Sequence, residues 1–194
     1  MSFMRTCAVT DAVGPMPGRA MRDLIVLFRG VNVGGHRKLP MADLRKAMAD
    51  AGFDAPRSYI QSGNVVVRTA RDPKDAVGTI RSLVEENFGF APDMMLLTRP
   101  ELARAVAECP YNIPGADPSR VHLFFHIGDP VSLDGLEPPA GDQARLSTGQ
   151  LAHYMDTPDG MSKSKLAELV SRRLKDRATG RNLRTCLKLL ELAE

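Results

Sequence analysis

The sequence predicts an α+β protein made of two tandem ferredoxin-like lobes, in which antiparallel sheets carry helices on one face. Three observations lead to this prediction. Short apolar runs alternate with segments whose apolar residues recur at helical spacing. In the first hundred residues these segments follow the order β-α-β-β-α-β. Glycine, proline and aspartate stand between them, where turns and helix ends favour those residues.

The first lobe begins with a buried strand, because residues 24–28 are apolar without a break. A glycine-rich loop follows at residues 30–35. A helix is predicted next, since Pro40 suits its first position and Gly52 is placed to end it. Together these signals predict a strand, a tight loop and a helix in succession.

A hairpin and a second helix complete that lobe. Residues 57–61 and 64–69 have strand character and flank Ser62-Gly63, which predicts a tight two-residue turn. Asp72 is a typical N-cap for the helix that follows, and Gly89 ends it. A last strand is expected at residues 94–98.

The second lobe has fewer clear strands and longer loops rich in proline and glycine. We expect a short helix, a strand, a hairpin and two final helices, at residues 100–109, 121–127, 144–155 and beyond 160. The predicted organisation is therefore a disordered leader at 1–20, an N-terminal plait at 21–99 and an irregular C-terminal lobe at 100–194. The leader lacks the continuous apolar stretch of a secretory signal.

Composition narrows the class of protein. A hydrophobic fraction of 43% over 194 residues supports a folded core, and no apolar run approaches the ~20 residues that cross a bilayer. Three widely spaced cysteines, Cys7, Cys109 and Cys186, form no CxxC pair. These features predict a cytoplasmic protein without a membrane anchor, a disulfide framework or a zinc site.

The residues present do not match the motifs of three familiar kinds of site, namely nucleotide-binding loops, metal sites and RNA-recognition sheets. Gly30 and Gly35 have the spacing of a Walker loop, but His36-Arg37 stands where Lys and Ser/Thr are required. His122 and His126 lie on a predicted strand, where a four-residue separation of ~13 Å is too long for one metal ion. RNA-recognition sheets need stacking aromatics, and aromatic residues make up 5% of this chain. We therefore expect no metal and no cofactor.

Charge gives a more specific signal. Residues 162–188 contain nine Lys/Arg and two acidic residues, a local net charge of +7 against +3 for the whole chain. Three predicted helix starts carry cations, at residues 36–38, 163–165 and 181–184. Cations at a helix N-terminus are unfavourable by roughly 0.3–1 kcal/mol, so a bound anion would explain them. Separate, solvated basic side chains remain the alternative.

Four sequence blocks resemble DUF1697, a bacterial family of unknown function. They are Arg29-Gly30-Val31-Asn32-Val33-Gly34-Gly35, Tyr59-Ile60-Gln61-Ser62-Gly63-Asn64-Val65, Asp159-Gly160 with Ser164-Lys165-Leu166, and Arg181-Asn182 with Thr185 and Lys188-Leu189. The resemblance extends from about residue 21 to the C-terminus. It implies two plait-like lobes and no established activity. An aromatic residue often follows the Arg-Asn pair in that pattern, whereas this chain has Leu183.

The sequence thus leads to one site hypothesis, an anion-binding cleft between the lobes. Its predicted members are basic, amide, hydroxyl and glycine residues of the four blocks: Arg29, Asn32, Gly34, Gly35, Gln61, Ser62, Asn64, Ser164, Lys165, Arg181, Asn182, Thr185 and Lys188. The expected partner is a phosphorylated ligand or a nucleic-acid backbone. Two alternatives stay open, a phosphate-ester transferase or hydrolase and a protein-interaction module, and the sequence does not decide oligomeric state.

Overall fold

The computed structural model describes residues 20–193. All but the last residue of the predicted leader, residues 1–20, lie outside this range. The described chain contains five helices and two four-stranded antiparallel sheets. The predicted combination of antiparallel sheets with helices is therefore confirmed.

The first sheet and its helices follow the predicted order along the chain. The elements are β1 (Arg22–Arg29), α1 (Met41–Asp50), β2 (Asp54–Tyr59), β3 (Asn64–Thr69), α2 (Pro73–Phe88) and β4 (Asp93–Thr98). The strands lie in the order β2-β3-β1-β4, with β1 pairing antiparallel to both β3 and β4. Six of the eight residues of β1 are buried, as its unbroken apolar run predicts.

The second sheet is preceded and followed by helices. Its elements are α3 (Arg99–Ala107), β5 (Val121–His126), β6 (Arg145–Thr148), β7 (Ala152–Asp156), α4 (Lys165–Leu174), β8 (Ala178–Asn182) and α5 (Leu183–Leu192), with a 3₁₀ turn over Met161–Lys163. The strands lie in the order β6-β7-β5-β8, and neighbouring strands are antiparallel. A loop at residues 127–144 occupies the chain position that α1 has in the first half.

Three apolar clusters hold these layers together. Helices α1 and α2 cover one face of the first sheet, with Leu44 and Ile80 fully buried between them and β1. Helix α4 and the loop at 127–144 cover the outer face of the second sheet. The central cluster joins both sheets through α3 and α5, and it includes Ile25, Leu123 and Leu189. The space between the two sheets is therefore an apolar core.

Two predicted elements differ from the structure. The last helix was predicted to start at residues 181–184, but residues 178–182 form strand β8, which pairs with β5, and α5 begins at Leu183. A Cβ on Gly180 would lie 3.1 Å from the ring of Phe124, so glycine allows the close packing of that strand. The hairpin turn spans residues 60–63 instead of two residues, because Tyr59 and Asn64 form the last strand pair.

No helix among residues 20–193 is long and apolar enough to cross a membrane.

Candidate functional site

Arg181 connects the two sheets. It lies on β8, yet its guanidinium reaches the end of β1 and the hairpin turn of the first sheet. Nη2 donates to the carbonyl oxygen of Phe28 at 2.6 Å and to the carbonyl oxygens of Ser62 and Gly63 at 3.2 and 3.3 Å. Nε donates to the side-chain oxygen of Asn64. One side chain of the second sheet therefore fixes four groups of the first.

The remaining nitrogen of that guanidinium is bound within its own strand. Nη1 of Arg181 donates to Thr179 Oγ1 at 2.9 Å and to the carbonyl oxygen of Gly180 at 2.7 Å. The residue is 9% exposed, and burial lowers its pKa to about 10. No carboxylate of the described residues forms an ion pair with it. Arg181 is a cation stabilised by carbonyl and amide dipoles, with no free donor directed to an external anion.

Two asparagines hold the hairpin turn at residues 60–63. Asn64 is fully buried, and its Nδ2 donates to the carbonyl of Tyr59 at 3.1 Å and to Ser62 Oγ at 3.0 Å. Asn32 Nδ2 donates to the carbonyl of Gln61 at 2.7 Å. No backbone N–H of residues 60–63 has an acceptor in the described part of the chain. The carbonyls of Gln61, Ser62 and Gly63 are therefore bound by the protein, whereas the N–H groups of the exposed residues 60–62 have no described acceptor.

Asn32 also organises the glycine loop. Its Oδ1 accepts from the amide of Leu39 at 2.7 Å, and its Nδ2 donates to the carbonyl of Leu39 at 2.9 Å. The tip of the loop turns at Gly34 and Gly35, with φ of 60° and 78°, a conformation that favours glycine. Nothing lies within 4 Å of a Cβ placed on either glycine. The tip is open to solvent.

Next to that tip, the hairpin turn contains a strained residue. Ile60 has φ of 51° although it is β-branched, and its side chain is 53% exposed. Such backbone strain costs about 1–3 kcal/mol and persists where surrounding bonds impose it. Val33 of the glycine loop is 67% exposed. The two loops, joined by the bond from Asn32 to Gln61, thus present strained and apolar groups to solvent.

Arg29 joins these loops to the end of α4. Its Nη2 donates to the carbonyl of Lys175 at 3.0 Å, and its Nη1 lies 3.5 Å from the carboxylate of Asp93. Arg37 Nη1 lies 3.7 Å from the same carboxylate. We define the seam surface as the loops at 30–38 and 60–63 with Arg29 and Arg37, together with the exposed cations Arg173, Lys175 and Arg177 at the end of α4 that Arg29 contacts.

The predicted members Ser164 and Lys165 lie elsewhere. Helix α4 has ten residues and rises about 15 Å, so Lys165 at its start is far from Arg29, which contacts its end. The start of α4 already has an anion from the chain. Asp142 Oδ2 accepts from the amide of Leu166 at 2.9 Å and from Ser164 Oγ at 2.9 Å. The expected convergence of Arg29, Lys165 and Arg181 is therefore not found.

A pH-dependent stability follows from the Asp142 contact. The amide of Leu166, followed by that of Ala144, lowers the pKa of Asp142. The ionised carboxylate thus stabilises the folded state above its ordinary pKa, and this contribution is lost as pH falls through the lowered value. Asp142→Asn should unfold at a lower temperature than the wild type at neutral pH. Thermal unfolding at several pH values should show that difference shrinking in acid; a difference independent of pH would contradict the assignment.

The predicted members of α5 are also bound within the protein. Asn182 Oδ1 caps the helix by accepting from the amide of Thr185 at 2.9 Å, and Thr185 is 5% exposed. Lys188 Nζ donates to the carboxylate of Glu191 at 2.7 Å, a bond that raises the pKa of the lysine. Arg184 lies 3.4 Å from the carboxylate of Asp117. These groups stabilise α5 and do not join the seam surface.

The sequence of this chain matches the model of a known protein family. The model described as a protein of unknown function, DUF1697, matches residues 21–154. The chain belongs to this family. No curated protein matches it.

A solved structure extends the likeness of this DUF1697 protein to nearly the whole chain. It is described as a conserved bacterial protein, SP0830, from Streptococcus pneumoniae. The two share 24% sequence identity and superpose with a TM-score of 0.74 over 90% of this chain and 100% of the other. At that identity the likeness supports the fold alone.

Two of the blocks that carry the family resemblance meet at the seam surface. The glycine loop and the hairpin turn, which includes Ser62, contact each other through Asn32 and Gln61, and Arg29 and Asn64 adjoin them. Sequence reasoning omitted Arg37, Arg173, Lys175 and Arg177 from the site. The signal for the last three was present in the basic run of residues 172–177. Nothing local could indicate Asp142, because it lies 22 residues before its partner Ser164.

Proposed function

We propose that this DUF1697 protein binds the phosphate backbone of nucleic acid on the seam surface. The observation that carries the proposal is the junction at Arg29, where a cation of the first sheet bonds to the carbonyl of Lys175 in the basic segment 172–177. Cations that are far apart in sequence thereby border one exposed surface. An extended polyanion suits such an arrangement, because each Lys or Arg that neutralises a phosphate releases counterions.

The open loops add hydrogen-bond donors to this charge. Backbone N–H groups in glycine-rich turns bind phosphate oxygens, and those of residues 60–63 lack acceptors in the described chain. At the tip of the neighbouring loop, Gly34 and Gly35 leave the backbone uncovered. Of the predicted site residues, Arg29 would then bind the anion, whereas Asn32, Asn64 and Arg181 would position the loops.

Carboxylates near these cations oppose this function, and Asp176 lies within the basic segment 172–177 itself. Asp93 lies within 4 Å of both Arg29 and Arg37 and partly neutralises them. A bound phosphate would have to compete with it for the same guanidinium groups. Removing the charge of Asp93 should therefore strengthen nucleic-acid binding, whereas removing a cation should weaken it.

The binding test compares charge variants at matched net charge. Arg173→Glu with Lys175→Glu should weaken binding to a mixed-sequence DNA duplex and lower the slope of log affinity against log salt by roughly 2. Asp93→Asn should tighten binding by a few-fold. Fluorescence anisotropy titrations from about 50 to about 200 mM salt measure both effects.

The control reverses two cations on the other side of the first sheet. Lys46 and Arg81 are exposed on α1 and α2, so Lys46→Glu with Arg81→Glu changes the net charge by the same amount. If the control weakens binding as much as the seam variant, the attraction is a general charge effect and the seam surface is not the site. Absence of duplex binding by the wild type would also refute the proposal.

We also infer that the chain consists of two ferredoxin-like lobes at 21–99 and 100–194, the second one modified. The support is the shared strand order: each sheet places its second, third, first and fourth strands side by side. In the second lobe the loop at 127–144 stands where the first helix of such a lobe would lie. The ancestral helix would have been replaced by irregular chain that covers the same face.

A cytoplasmic location fits the two described cysteines. Cys109 and Cys186 are buried free thiols. Burial raises the pKa of both, and that of Cys186 to about 12. Buried protonated thiols behave as small apolar side chains and persist unpaired in a reducing compartment.

A further inference from the structure

A cavity of about 380 Å³ opens where β5 begins, at the other end of the second sheet from the seam surface. Strand β5 has six residues and spans roughly 20 Å, and its far end pairs with Ala178 beside the basic segment. The cavity lining includes Ser119, Arg120, His122, Thr157, Gly160 and Ser162. It contains one arginine, one histidine and three hydroxyl groups, and no carboxylate among the described residues.

The main chain of Arg120 is firmly held. Its carbonyl oxygen accepts from the amide of Thr157 at 3.1 Å and from Thr157 Oγ1 at 3.0 Å. Its amide donates to the carbonyl of Asp117 at 2.9 Å. The guanidinium of Arg120 therefore extends from a fixed point at the cavity wall.

Gly160 leaves room for that guanidinium. A Cβ at this position would lie 2.6 Å from Arg120 Nη1, and the φ of 98° also favours glycine. The side chain of Arg120 is 46% exposed and donates no hydrogen bond to another described residue. A hydrogen-bonded backbone thus carries a guanidinium that donates no hydrogen bond to another described residue.

The carboxylate that lies at ion-pair distance from this guanidinium among the described residues is shared with other donors. Asp117 lies 3.9 Å from Arg120 Nε, at ion-pair distance but beyond a hydrogen bond. Its Oδ1 accepts from the amide and hydroxyl of Ser119 at 2.9 and 2.7 Å, and Arg184 lies 3.4 Å from the same oxygen. Asp117 therefore does not saturate the donors of Arg120.

His122 supplies a second polar group. Its Nδ1 lies 3.2 Å from the carbonyl oxygen of Arg120, so the nitrogen donates this bond. Burial lowers the pKa of His122, which keeps the ring neutral at pH 7 and leaves Nε2 as an acceptor for a protonated phosphate oxygen. The exposed Ser162 has no hydrogen-bond partner in residues 20–193, and its hydroxyl can donate.

We propose that this cavity binds a small phosphorylated molecule, with the phosphate between Arg120, His122 and Ser162. An arginine fork binds two phosphate oxygens at once, and a hydroxyl and a neutral imidazole complete a donor and acceptor set. The volume lies in the range of about 300–1,000 Å³ typical of small-molecule sites, so an organic group can accompany the phosphate. This site is separate from the seam surface and does not depend on it.

The test uses inorganic phosphate as the probe and the full chain as the protein. In a two-dimensional ¹H–¹⁵N NMR titration, the amides of Gly160 and Ser162 should shift saturably with sodium phosphate and not with sodium chloride of equal ionic strength. Arg120→Gln should weaken the apparent affinity about tenfold or more, and Ser162→Ala should weaken it several-fold. Ser162 has no described contact to lose, so this second variant keeps the fold.

Two controls separate this site from a general charge effect and from the seam surface. Arg68→Gln removes an exposed cation from β3 and should titrate like the wild type. The seam variant, Arg173→Glu with Lys175→Glu, should keep its phosphate response, and Arg120→Gln should keep the affinity for the DNA duplex. A wild type without a saturable shift, or an Arg120→Gln variant that titrates like the wild type, would overturn the proposal.

Discussion

Arg181→Ala is expected to lower the free energy of unfolding by about 3–5 kcal/mol. The substitution removes the donors that satisfy the carbonyl oxygens of Phe28, Ser62 and Gly63 and the side-chain oxygen of Asn64. The carbonyl of Gly63 keeps its bond from the amide of Phe28 at 2.8 Å, whereas the carbonyl of Phe28 and the side-chain oxygen of Asn64 each lose a buried hydrogen bond. A buried acceptor left without a partner costs about 1–3 kcal/mol, so two together exceed the effect of an ordinary substitution. Thermal unfolding should show a midpoint lower by roughly 10 °C.

Two further variants identify the cause of that loss. Arg181→Lys keeps the charge but cannot span four acceptors, so it should recover a minor part of the stability. Arg173→Ala removes an exposed arginine and should change the unfolding free energy by less than about 0.5 kcal/mol. An Arg181→Ala variant as stable as Arg173→Ala would show that the bonds between the sheets contribute little.

The case of Arg181 also shows where sequence reasoning reaches its limit. The sequence identifies a cation near a helix start and predicts a ligand for it. It does not indicate that residues 178–182 form a strand, because that segment is polar and contains glycine. Pairing with β5 creates the strand, and the position of Arg181 against the first sheet follows from that tertiary contact.

The start of α4 illustrates the same limit. Ser164 was predicted to bind an anion, and in the structure its side chain caps α4 by accepting from the amide of Ala167 at 3.0 Å. A carboxylate of the chain itself, Asp142, binds the amide of Leu166 and the hydroxyl of Ser164 at this helix start. The local sequence showed an excess of cations at this helix start. The carboxylate that binds there, Asp142, is distant in sequence and could be identified only from the structure.

Elements with strong local signals were predictable. The apolar run of β1, the Asp72 cap of α2 and the left-handed Gly89 at its end all lie where the sequence places them. Each depends on residues within one or two turns of one another. The cavity at Arg120 had no such local signal, because its walls come from segments about forty residues apart in the sequence. These segments form a cavity only because β5 and the loop after β7 lie side by side in the fold.

The two halves of the chain are expected to depend on each other for folding. A fragment of residues 20–99 should not form a stable monomer, because the inner face of its sheet belongs to the central cluster. Ile25, Leu27 and Val66 are fully buried there and Leu97 is 1% exposed, with α3 and α5 among their neighbours in that cluster. Removing the second half would expose all four side chains to water.

The burial energy of these four side chains is comparable to the stability of a whole domain. Burial of one large aliphatic side chain contributes about 1.5–3 kcal/mol, so four of them contribute roughly 6–12 kcal/mol. Net stabilities of whole domains are about 5–15 kcal/mol, which leaves the isolated fragment little or none. The bonds of Arg181 to the first sheet would be lost as well.

Fragment complementation measures this dependence. The fragment of residues 20–99 alone should lack a cooperative urea transition or should aggregate, and refolding it together with a fragment of residues 100–193 should restore cooperative unfolding. Introducing Arg181→Ala into the second fragment should weaken the association, because the hydrogen bonds that join the sheets are removed. A monomeric 20–99 fragment with a cooperative transition of its own would show instead that the two lobes are independent domains resting against each other.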